Sequence, residues 1–428
     1  MTADGDCHHL CKLMAPVRHR WSINDVIGGV RNTMMPSDCS PTCKGFSGDF
    51  KDHRRLQEKG DDRAVFCYYG SWASYRWGVG TFNVDNIDTR LCSHIVYAFT
   101  GLRDGVIVSL DQYNDLEENW GKGLMKKFTT LARNNGIKSL LAIGGWNEGS
   151  TKYSEMAATQ EGREKFADSV VSFVEKQGFN GLDLDWEYPA RRGGVPEDKD
   201  HFTLLLKVLS EKLHARGHLI TIAVSADPKT IANGYDIPNV GKYADYITVM
   251  TFDYHTPSSD TVTGLNSPLD SLPQDTGYNK ELNVKNSINT WLKGGAPPNK
   301  LLLGTPLYGR TYRLWYEDQH DLGSPILGPG DAGLYTQEAG FLAYYEICSN
   351  PDWNIVWNAT SSVLYAYKTY QWLSYDDPNT ITVKTKWALE KNLGGVMVWS
   401  LESDDFHGNC GKGTYPLLTT VNKALQRV

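Results

Sequence analysis

Eight apolar segments recur along the chain after Arg63, and most neighbours are separated by a candidate amphipathic helix. Among the first seven segments, successive starts lie 27 to 54 residues apart, which leaves room for a strand, a helix and their loops. Regular alternation of this kind is typical of a parallel sheet covered by helices. We therefore predict an α/β chain folded as a (β/α)8 TIM barrel. The eight segments are 64–72, 94–102, 139–146, 181–189, 219–227, 246–255, 300–310 and 394–405, and the clearest helix candidates are 161–177, 199–216 and 284–293.

The interval between the seventh and eighth starts is 94 residues, which is too long for one helix and its loops. Within it, residues 311–380 are rich in tyrosine, tryptophan and β-branched residues in short alternating stretches. We expect a small α+β subdomain here, inserted between strands 7 and 8 of a barrel domain that spans 61–428. Residues 1–60 are polar and lack sustained periodicity, so they are predicted to form an irregular N-terminal segment, with disorder as one alternative.

Composition excludes several classes of protein. With 428 residues, of which 40% are hydrophobic and 22% charged, the chain is long enough for a large core. The formal net charge of -7 and the absence of a lysine or arginine block argue against a nucleic-acid partner. No run of 18 apolar residues predicts a membrane span, and the first 25 residues lack an apolar core of signal-peptide length. Nor does the sequence contain a phosphate-binding glycine loop or a metal-ligand cluster in the barrel, so we expect no cofactor and no metal there.

The fourth apolar segment carries acids at alternate positions, namely Asp183, Asp185 and Glu187. On a strand these three side chains point the same way. The simple alternative is a solvated acidic face on a half-exposed strand. In a covered parallel sheet, however, three unpaired carboxylates on one face would each cost several kcal/mol, which favours a functional site. Repulsion between neighbouring carboxylates raises a pKa, so the row is suited to hold a proton.

Aromatic and small residues collect near the carboxyl ends of the other candidate strands, which is where TIM barrels place their active sites. Each alone is more often a packing residue. Together they predict an aromatic-walled cleft suited to the flat apolar faces of sugar rings. With Tyr188, which follows the acidic row, the candidate substrate-binding residues are Tyr68, Trp72, Gly144, Gly145, Trp146, Met250, Phe252, Asp253, Tyr308, Arg310, Met397 and Trp399.

A protonated acid beside aromatic walls fits glycoside hydrolysis, with Glu187 as the acid that protonates the leaving oxygen. An ordinary retaining enzyme also needs a carboxylate nucleophile across the cleft, yet Asp183 and Asp185 lie on the same strand as Glu187. We therefore expect the N-acetyl group of the substrate to act as the nucleophile, with Asp185 orienting its amide.

The residues from 180 to 187, NGLDLDWE, resemble the DGxDxDxE signature of the family 18 chitinases, and residues 142–146 resemble that family's motif on strand three. Residues 250–253 resemble its MxYD motif, and the similarity runs from about residue 64 to the end. The resemblance implies that Glu187 is the acid/base, Asp185 the orienting partner and Asp183 a proton-sharing relay. It also implies sugar contacts for Trp72, Trp146 and Trp399, chitin or chito-oligosaccharides as the substrate, a monomer and an extracellular location.

Two departures from the family pattern motivate an alternative function. Asn180 replaces the first aspartate of the signature while keeping its size, so we expect a modest effect. Phe252 replaces a tyrosine whose hydroxyl would donate to the acetamido group, and such a loss typically costs about 10² to 10³ in rate. The alternative is a catalytically weak or inactive lectin that binds chitin oligosaccharides. Glu187, which inactive relatives commonly replace, is present and favours the enzyme.

The eight cysteines fall into two groups. Cys67 and Cys92 lie on neighbouring candidate strands and could bridge, and Cys348 and Cys410 are placed with them as structural disulfide cysteines. The group before the barrel, Cys7, Cys11, Cys39 and Cys43, leaves zinc binding, disulfides and disorder open. The sequon at Asn358 predicts a glycan on the inserted subdomain.

Overall fold

The computed structural model describes residues 63–427. The expectations for residues 1–60 and for their four cysteines therefore lie outside the described residues. Eight parallel strands form a closed barrel, which confirms the predicted fold. These strands are β1 (Ala64–Gly70), β2 (His94–Arg103), β4 (Lys138–Gly144), β5 (Gly181–Asp185), β6 (Leu219–Ser225), β7 (Tyr246–Met250), β8 (Leu301–Pro306) and β15 (Gly395–Trp399).

The barrel closes because β1 pairs in parallel with both β2 and β15, so that Phe66 lies opposite His94 on one side and Met397 on the other. Side chains that point inward fill the barrel axis with a compact cluster that includes Phe66, Leu140 and Met397. Side chains that point outward from the same strands join the larger core under the helices. This division follows from the period of two along a strand and makes the barrel interior a packed core.

The helices cover the outside of the barrel, and local sequence signals set where they begin and end. In the helix Gln160–Gln177, the Thr159 side chain accepts a hydrogen bond from the amide of Gly162, and the chain ends at Gly178 in the left-handed conformation. The α-helices of the described residues are α1 (Gln112–Asp115), α2 (Leu124–Asn134), α3 (Thr151–Ala158), α4 (Gln160–Gln177), α5 (Asp198–His214), α6 (Pro228–Gly234), α7 (Ile237–Tyr243), α8 (Val284–Lys293), α9 (Tyr344–Cys348), α10 (Pro378–Glu390) and α11 (Pro416–Ala424).

A second sheet, antiparallel throughout, occupies the chain between β8 and β15. Its path runs β10-β9-β14-β13-β12, and β11 pairs with the first three residues of β9, before the residues that pair with β10. The six strands are β9 (Tyr308–Leu314), β10 (Ile326–Pro329), β11 (Phe341–Ala343), β12 (Asn354–Asn358), β13 (Val363–Lys368) and β14 (Gln371–Tyr375), and the remaining strand, β3 (Val106–Ser109), pairs antiparallel with the end of β2.

The seventh apolar segment, predicted as one strand over 300–310, divides in the structure. Its first part is barrel strand β8, which ends at Pro306, and its second part begins β9 of the inserted sheet at Tyr308. The division occurs because β11 and β14 pair with the residues after Leu307. Tyr308 and Arg310 therefore belong to the inserted sheet, although they lie only a few residues beyond the barrel strand.

Two disulfides join the predicted cysteines. Cys67 on β1 is bonded to Cys92, just before β2, and Cys348 at the end of α9 is bonded to Cys410 in the loop before α11. The second bond connects the inserted region to the last barrel unit across a sequence separation of 62 residues. Bonds that close loops of this length restrict the unfolded chain more than the folded one.

Candidate active site

Asp183 is the deepest of the three acids and lies fully buried on β5. Its two carboxylate oxygens each accept a hydrogen bond, one from the Tyr68 hydroxyl at 2.7 Å and one from the Thr221 hydroxyl at 2.6 Å. Burial raises the pKa of Asp183 to about 6, although both hydroxyl donors lower it. Both hydrogen-bond donors to this carboxyl group are neutral hydroxyls. Because the group is also buried, it retains a proton more readily than a solvated aspartate does.

Asp185 ends β5 and is also buried. Its Oδ1 atom has no hydrogen-bond donor among the described residues. Burial raises the pKa of Asp185 well above the usual value, and the charges of Glu187 and Asp183 raise it further. An acceptor of this kind, desolvated and without a donor, is suited to receive an N–H group from a ligand.

Glu187 lies two residues beyond the end of β5, so it reaches the cleft from a loop. Burial raises the pKa of Glu187 to about 7, while the Tyr188 hydroxyl and the charge of Arg192 lower it and Asp253 raises it. A carboxyl group with a pKa near neutrality can be protonated before a reaction and ionised after it. Glu187 can therefore both give and take a proton near neutral pH.

Arg192 connects the acid loop to the cleft wall. Its guanidinium lies 3.5 Å from the ring centroid of Trp146 and donates hydrogen bonds to the backbone carbonyls of Trp146 and Glu187 at 2.9 and 3.0 Å. The stacked cation holds one face of the Trp146 ring, whose side chain is otherwise exposed. The same residue thus positions the indole and lowers the pKa of the neighbouring acid.

Three aromatic rings from different parts of the chain form one wall of the cleft. The Phe99 ring is stacked on both Trp399, at 5.6 Å, and Trp72, at 6.2 Å. Trp72 nevertheless keeps 43% of its surface exposed. The cleft has a volume of about 1440 Å³ and contains both the acids and these rings. An open wall of aromatic rings of this kind fits the flat apolar faces of sugar rings.

Asp253, with φ 59°, joins the barrel to the inserted sheet. It forms a bidentate pair with Arg310, with nitrogen–oxygen distances of 2.6 and 2.7 Å, and also accepts a hydrogen bond from the Tyr308 hydroxyl at 2.7 Å. The geometry is that of a fork-to-fork ion pair. Since both oxygens are occupied, Asp253 is poorly placed to act as a nucleophile.

Gly144 and Gly145 bring the backbone of β4 against the acid row. Both have positive φ, and a Cβ on Gly144 would lie 2.0 Å from the carbonyl oxygen of Asp185. The amide of Gly145 donates to that same carbonyl at 2.9 Å. A Cβ on Gly145 would collide with the Phe99 ring. These glycines therefore allow Asp185 and the aromatic wall to approach each other.

The structure divides the predicted site residues into two groups. The first group, Asp183 and Tyr308, does not line the cleft and lies beneath it. Tyr68 belongs to the second group, which lines the cleft, but it is almost completely buried and its hydroxyl donates to Asp183. The residues that line the cleft are Tyr68, Trp72, Gly144, Gly145, Trp146, Asp185, Glu187, Tyr188, Met250, Phe252, Asp253, Arg310, Met397 and Trp399.

Sequence reasoning missed Phe99, Thr221, Arg192 and the buried Glu402. Phe99 lies just before Thr100, where the parallel pairing of β2 with β4 ends, so an aromatic residue near the carboxyl end of a parallel strand is the signal that points to it. Thr221 is a polar residue inside an apolar strand, which is a weak signal. Glu402 accepts hydrogen bonds from the amide of Gly70 and the hydroxyl of Ser400, and thereby ties the ends of β1 and β15 together. The contact between Glu402 and Gly70 forms only when the barrel closes and brings β1 beside β15.

Asn180 lies at the opposite end of β5 from the acids that face the cleft. Its side-chain oxygen accepts a hydrogen bond from the amide of Ser139 at 2.9 Å, and its backbone accepts one from Leu219. These contacts fasten β5 between β4 and β6. The position is structural, which agrees with a modest effect of replacing the signature aspartate.

Comparison with known proteins places this site in a family. Residues 64–404 match the family described as Glycosyl hydrolases family 18. The chain is 40% identical over 402 residues to Probable chitinase 2 of Drosophila melanogaster, covering 85% of this chain and 80% of that protein. Among longer curated relatives, one is matched over only 16% of its length.

Several solved structures are similar over 85% of this chain. The Group IV chitinase of Ostrinia furnacalis in complex with allosamidin is 43% identical, with a TM-score of 0.82 and 99% of that chain covered. Human YKL-39, described as a pseudo-chitinase with retained chitooligosaccharide binding properties, is 33% identical, with a TM-score of 0.78 and 100% of that chain covered. By its sequence match, its barrel and its acidic row, the chain belongs to glycosyl hydrolases family 18.

Proposed function

We propose that the protein is an endo-acting chitinase that hydrolyses β-1,4-linked N-acetylglucosamine polymers with retention. The observation that carries this proposal is the pairing of Glu187, with a pKa of about 7, and Asp185, whose buried Oδ1 lacks a donor. The first group can give a proton to a leaving oxygen. The second can accept the N–H of a 2-acetamido group.

The substrate supplies the nucleophile in this mechanism. Asp253 is held by Arg310 and Tyr308, while Asp183 is buried beneath the cleft. The acetamido carbonyl oxygen forms a bond to the anomeric carbon as the glycosidic bond breaks, and Glu187 transfers its proton to the leaving oxygen. Water then attacks the anomeric carbon, Glu187 takes a proton from that water, and the oxazolinium ring opens.

Asp185 stabilises the positive charge of the oxazolinium ring in this scheme because its negative charge lies in a desolvated site. Asp183, which lies beneath the cleft, assists Asp185. With one donor from Tyr68 and one from Thr221 and a pKa of about 6, it can share a proton with Asp185 as the charge on Asp185 changes. Tyr68 and Thr221 are accordingly positioning residues.

We also propose a location and an assembly state for the protein. None of the helices within residues 63–427 combines the length and the apolar character needed to span a bilayer. Disulfides form and persist in oxidising compartments, so the two observed bonds favour an extracellular site. Asn358, at the end of β12, remains a predicted glycan site, and we propose a monomer.

A catalytically weak chitin-binding lectin is the second candidate. Phe252 lines the cleft without the hydroxyl that a tyrosine would offer, and its ring packs against Tyr308 at 6.1 Å. The similarity to a protein described as a pseudo-chitinase with retained chitooligosaccharide binding properties supports this candidate. Intact Asp183, Asp185 and Glu187 favour the enzyme.

Hydrolysis is expected to decline on the alkaline side of neutrality. Glu187 must be protonated to act as the acid, and its pKa is about 7. Above that value kcat/KM should fall about tenfold for each pH unit. Initial rates on a fluorogenic N-acetylglucosamine oligomer from pH 4 to 9 measure the profile, and a constant rate up to pH 9 would remove Glu187 from the role of acid.

Replacing Phe252 with tyrosine is expected to raise kcat. The new hydroxyl would donate to the acetamido group in the transition state, an interaction worth about 10² to 10³ in rate. Phe341, whose ring also lines the cleft, offers a matched control, because Phe341→Tyr adds the same hydroxyl elsewhere. An unchanged kcat in Phe252→Tyr would show that the missing hydroxyl does not limit turnover. Wild-type protein that binds but releases no products would favour the lectin.

A further inference from the structure

A lysine that the proposed reaction does not use is buried outside the cleft. Lys384, on α10, keeps only 1% of its surface exposed and forms an ion pair with Asp376, whose two oxygens lie 2.6 and 2.8 Å from the ammonium. The Thr380 hydroxyl also donates to Asp376, at 2.6 Å. Both members of the ion pair are buried, and neither lines the cleft.

Stability alone is a poor reason for burying this pair. Removing a cation and a carboxylate from water costs about as much as their attraction returns, and apolar replacements of such pairs are often neutral or stabilising. The best-attested use of a buried ion pair is to select one arrangement of the chain around it. The other contacts of the Lys384 ammonium therefore indicate what it arranges.

Those contacts are both with Ser267, in the loop between β7 and α8. The ammonium donates to the Ser267 carbonyl and, at 3.1 Å, to the Ser267 hydroxyl oxygen. An ammonium can only donate, so the single proton of that hydroxyl must point elsewhere. It is donated to the backbone carbonyl of Thr251 at 2.7 Å. Lys384 thus orients a hydrogen bond to the residue just before Phe252.

Asn266, the neighbour of Ser267, holds the next residues of the same loop. Its side-chain oxygen accepts a hydrogen bond from the amide of Asp253 at 3.0 Å, and its backbone carbonyl accepts one from the amide of Tyr254 at 3.2 Å. Asp253 has a φ of 59°, which a residue other than glycine keeps only where its surroundings hold it. Residues 266 and 267 together supply that support.

The position of this loop matters to the acid. Asp253 lines the cleft, and its charge raises the pKa of Glu187. A loop that moved Asp253 away from Glu187 would lower that pKa and would displace Phe252 in the cleft wall. A contact outside the cleft can therefore affect both the rate of the reaction and its dependence on pH.

We infer that Lys384 is a positioning residue, which acts through Ser267 to hold loop 251–254 in the conformation that presents Phe252 and Asp253 to the cleft. The expected effect on turnover rests on the proposed function. The effect on the loop itself does not, because it can be measured without a substrate.

The test compares Ser267→Ala and the double variant Lys384→Met/Asp376→Asn with wild type. The double variant neutralises both charges, so that neither is left buried without its partner. Ser267→Ala removes the hydroxyl between Lys384 and Thr251 and keeps the ion pair, so it remains informative if the double variant does not fold. The readouts are kinetics on a soluble fluorogenic N-acetylglucosamine oligomer and deuterium exchange of the backbone amides.

We expect kcat/KM to fall about fivefold in Ser267→Ala and about 10²-fold in the double variant, because a misplacement of about 1 Å can cost rates of that order. The alkaline limb of the pH profile should move to lower pH in both, since the charge of Asp253 would lie farther from Glu187. The amides of Asp253 and Tyr254, which donate to Asn266, should exchange about tenfold faster.

Lys300→Met is the matched control. Lys300 also donates to two backbone carbonyls, those of Gly241 and Ala244, but it lies just before β8 at the end of the barrel opposite the cleft. The control should lower the unfolding temperature, keep kcat/KM within about twofold of wild type and leave the pH profile unchanged.

Two results would overturn the inference. Ser267→Ala with the rate, pH profile and amide exchange of wild type would show that the loop does not depend on this contact. Equal changes in Lys300→Met would assign the effects to a general loss of stability. An inactive wild type would remove the proposed function instead, and amide exchange at Asp253 and Tyr254 would then decide the inference by itself.

Discussion

Substituting Glu187 with glutamine is expected to reduce kcat by about 10² to 10⁴ and to leave binding of chito-oligosaccharides nearly unchanged. The glutamine side chain has almost the same volume but cannot transfer a proton to the leaving oxygen. Burial and the surrounding charges hold the pKa of this carboxyl at about 7, so much of it is already neutral near pH 7. The substitution therefore removes acid/base chemistry with little change in the charge of the cleft.

The measurement combines product analysis on a chito-oligosaccharide with isothermal titration of the same ligand. Glu390→Gln, an identical chemical change at the exposed end of α10, should behave as wild type. Equal rates in wild type and Glu187→Gln would move the acid role to another residue. Loss of binding in Glu187→Gln would instead indicate a ground-state contact.

Asp185→Asn is expected to lower kcat by about 10² to 10³ and to make the folded protein more stable at pH 7. Activity falls because the oxazolinium ring loses a negative partner in a desolvated site. Stability rises because the carboxylate is buried and its Oδ1 has no donor among the described residues. Leaving such a group unsatisfied typically costs about 1 to 3 kcal/mol, which a neutral amide partly avoids.

The gain in stability should depend on pH in a defined direction. Because the pKa of Asp185 is raised in the folded protein, the folded state retains a proton that the unfolded state releases above about pH 4. The free energy of unfolding of wild type therefore falls, through this group, as pH rises from about 4 toward neutrality. Asp185→Asn should match wild type near pH 3 and exceed it increasingly up to pH 7.

Asp183→Asn provides the matched control for this prediction. The same neutralisation two residues earlier disturbs two hydrogen bonds, from Tyr68 and Thr221, so it should yield a smaller gain or a loss of stability. Urea unfolding of both variants at pH 4 and pH 7 measures the difference. A less stable Asp185→Asn at pH 7 would mean that a donor reaches Asp185 in solution.

Much of the fold could be predicted because the spacing of apolar residues indicates which face of a helix or strand is buried in the core. The helices show this directly, since the segment predicted as 284–293 is observed as Val284–Lys293. Strand ends were predicted less accurately. The sequence predicts 246–255 as one apolar segment, but β7 ends at Met250 and residues after it, such as Phe252 and Asp253, belong to a loop that lines the cleft. Apolar residues occur in both places, so composition alone does not separate a strand from the wall of a cleft.

The eightfold alternation of strand and helix and the alternate spacing of Asp183, Asp185 and Glu187 can be read from the amino-acid sequence alone, because both follow from local periodicity. Three features instead depend on the tertiary structure: Tyr68 donates a hydrogen bond to Asp183, Phe99 stacks on both Trp72 and Trp399, and Trp120 is exposed to solvent. Those contacts and exposures depend on where barrel closure and loop paths bring residues that are distant in sequence. Burial, and with it each raised pKa, exists only after that closure.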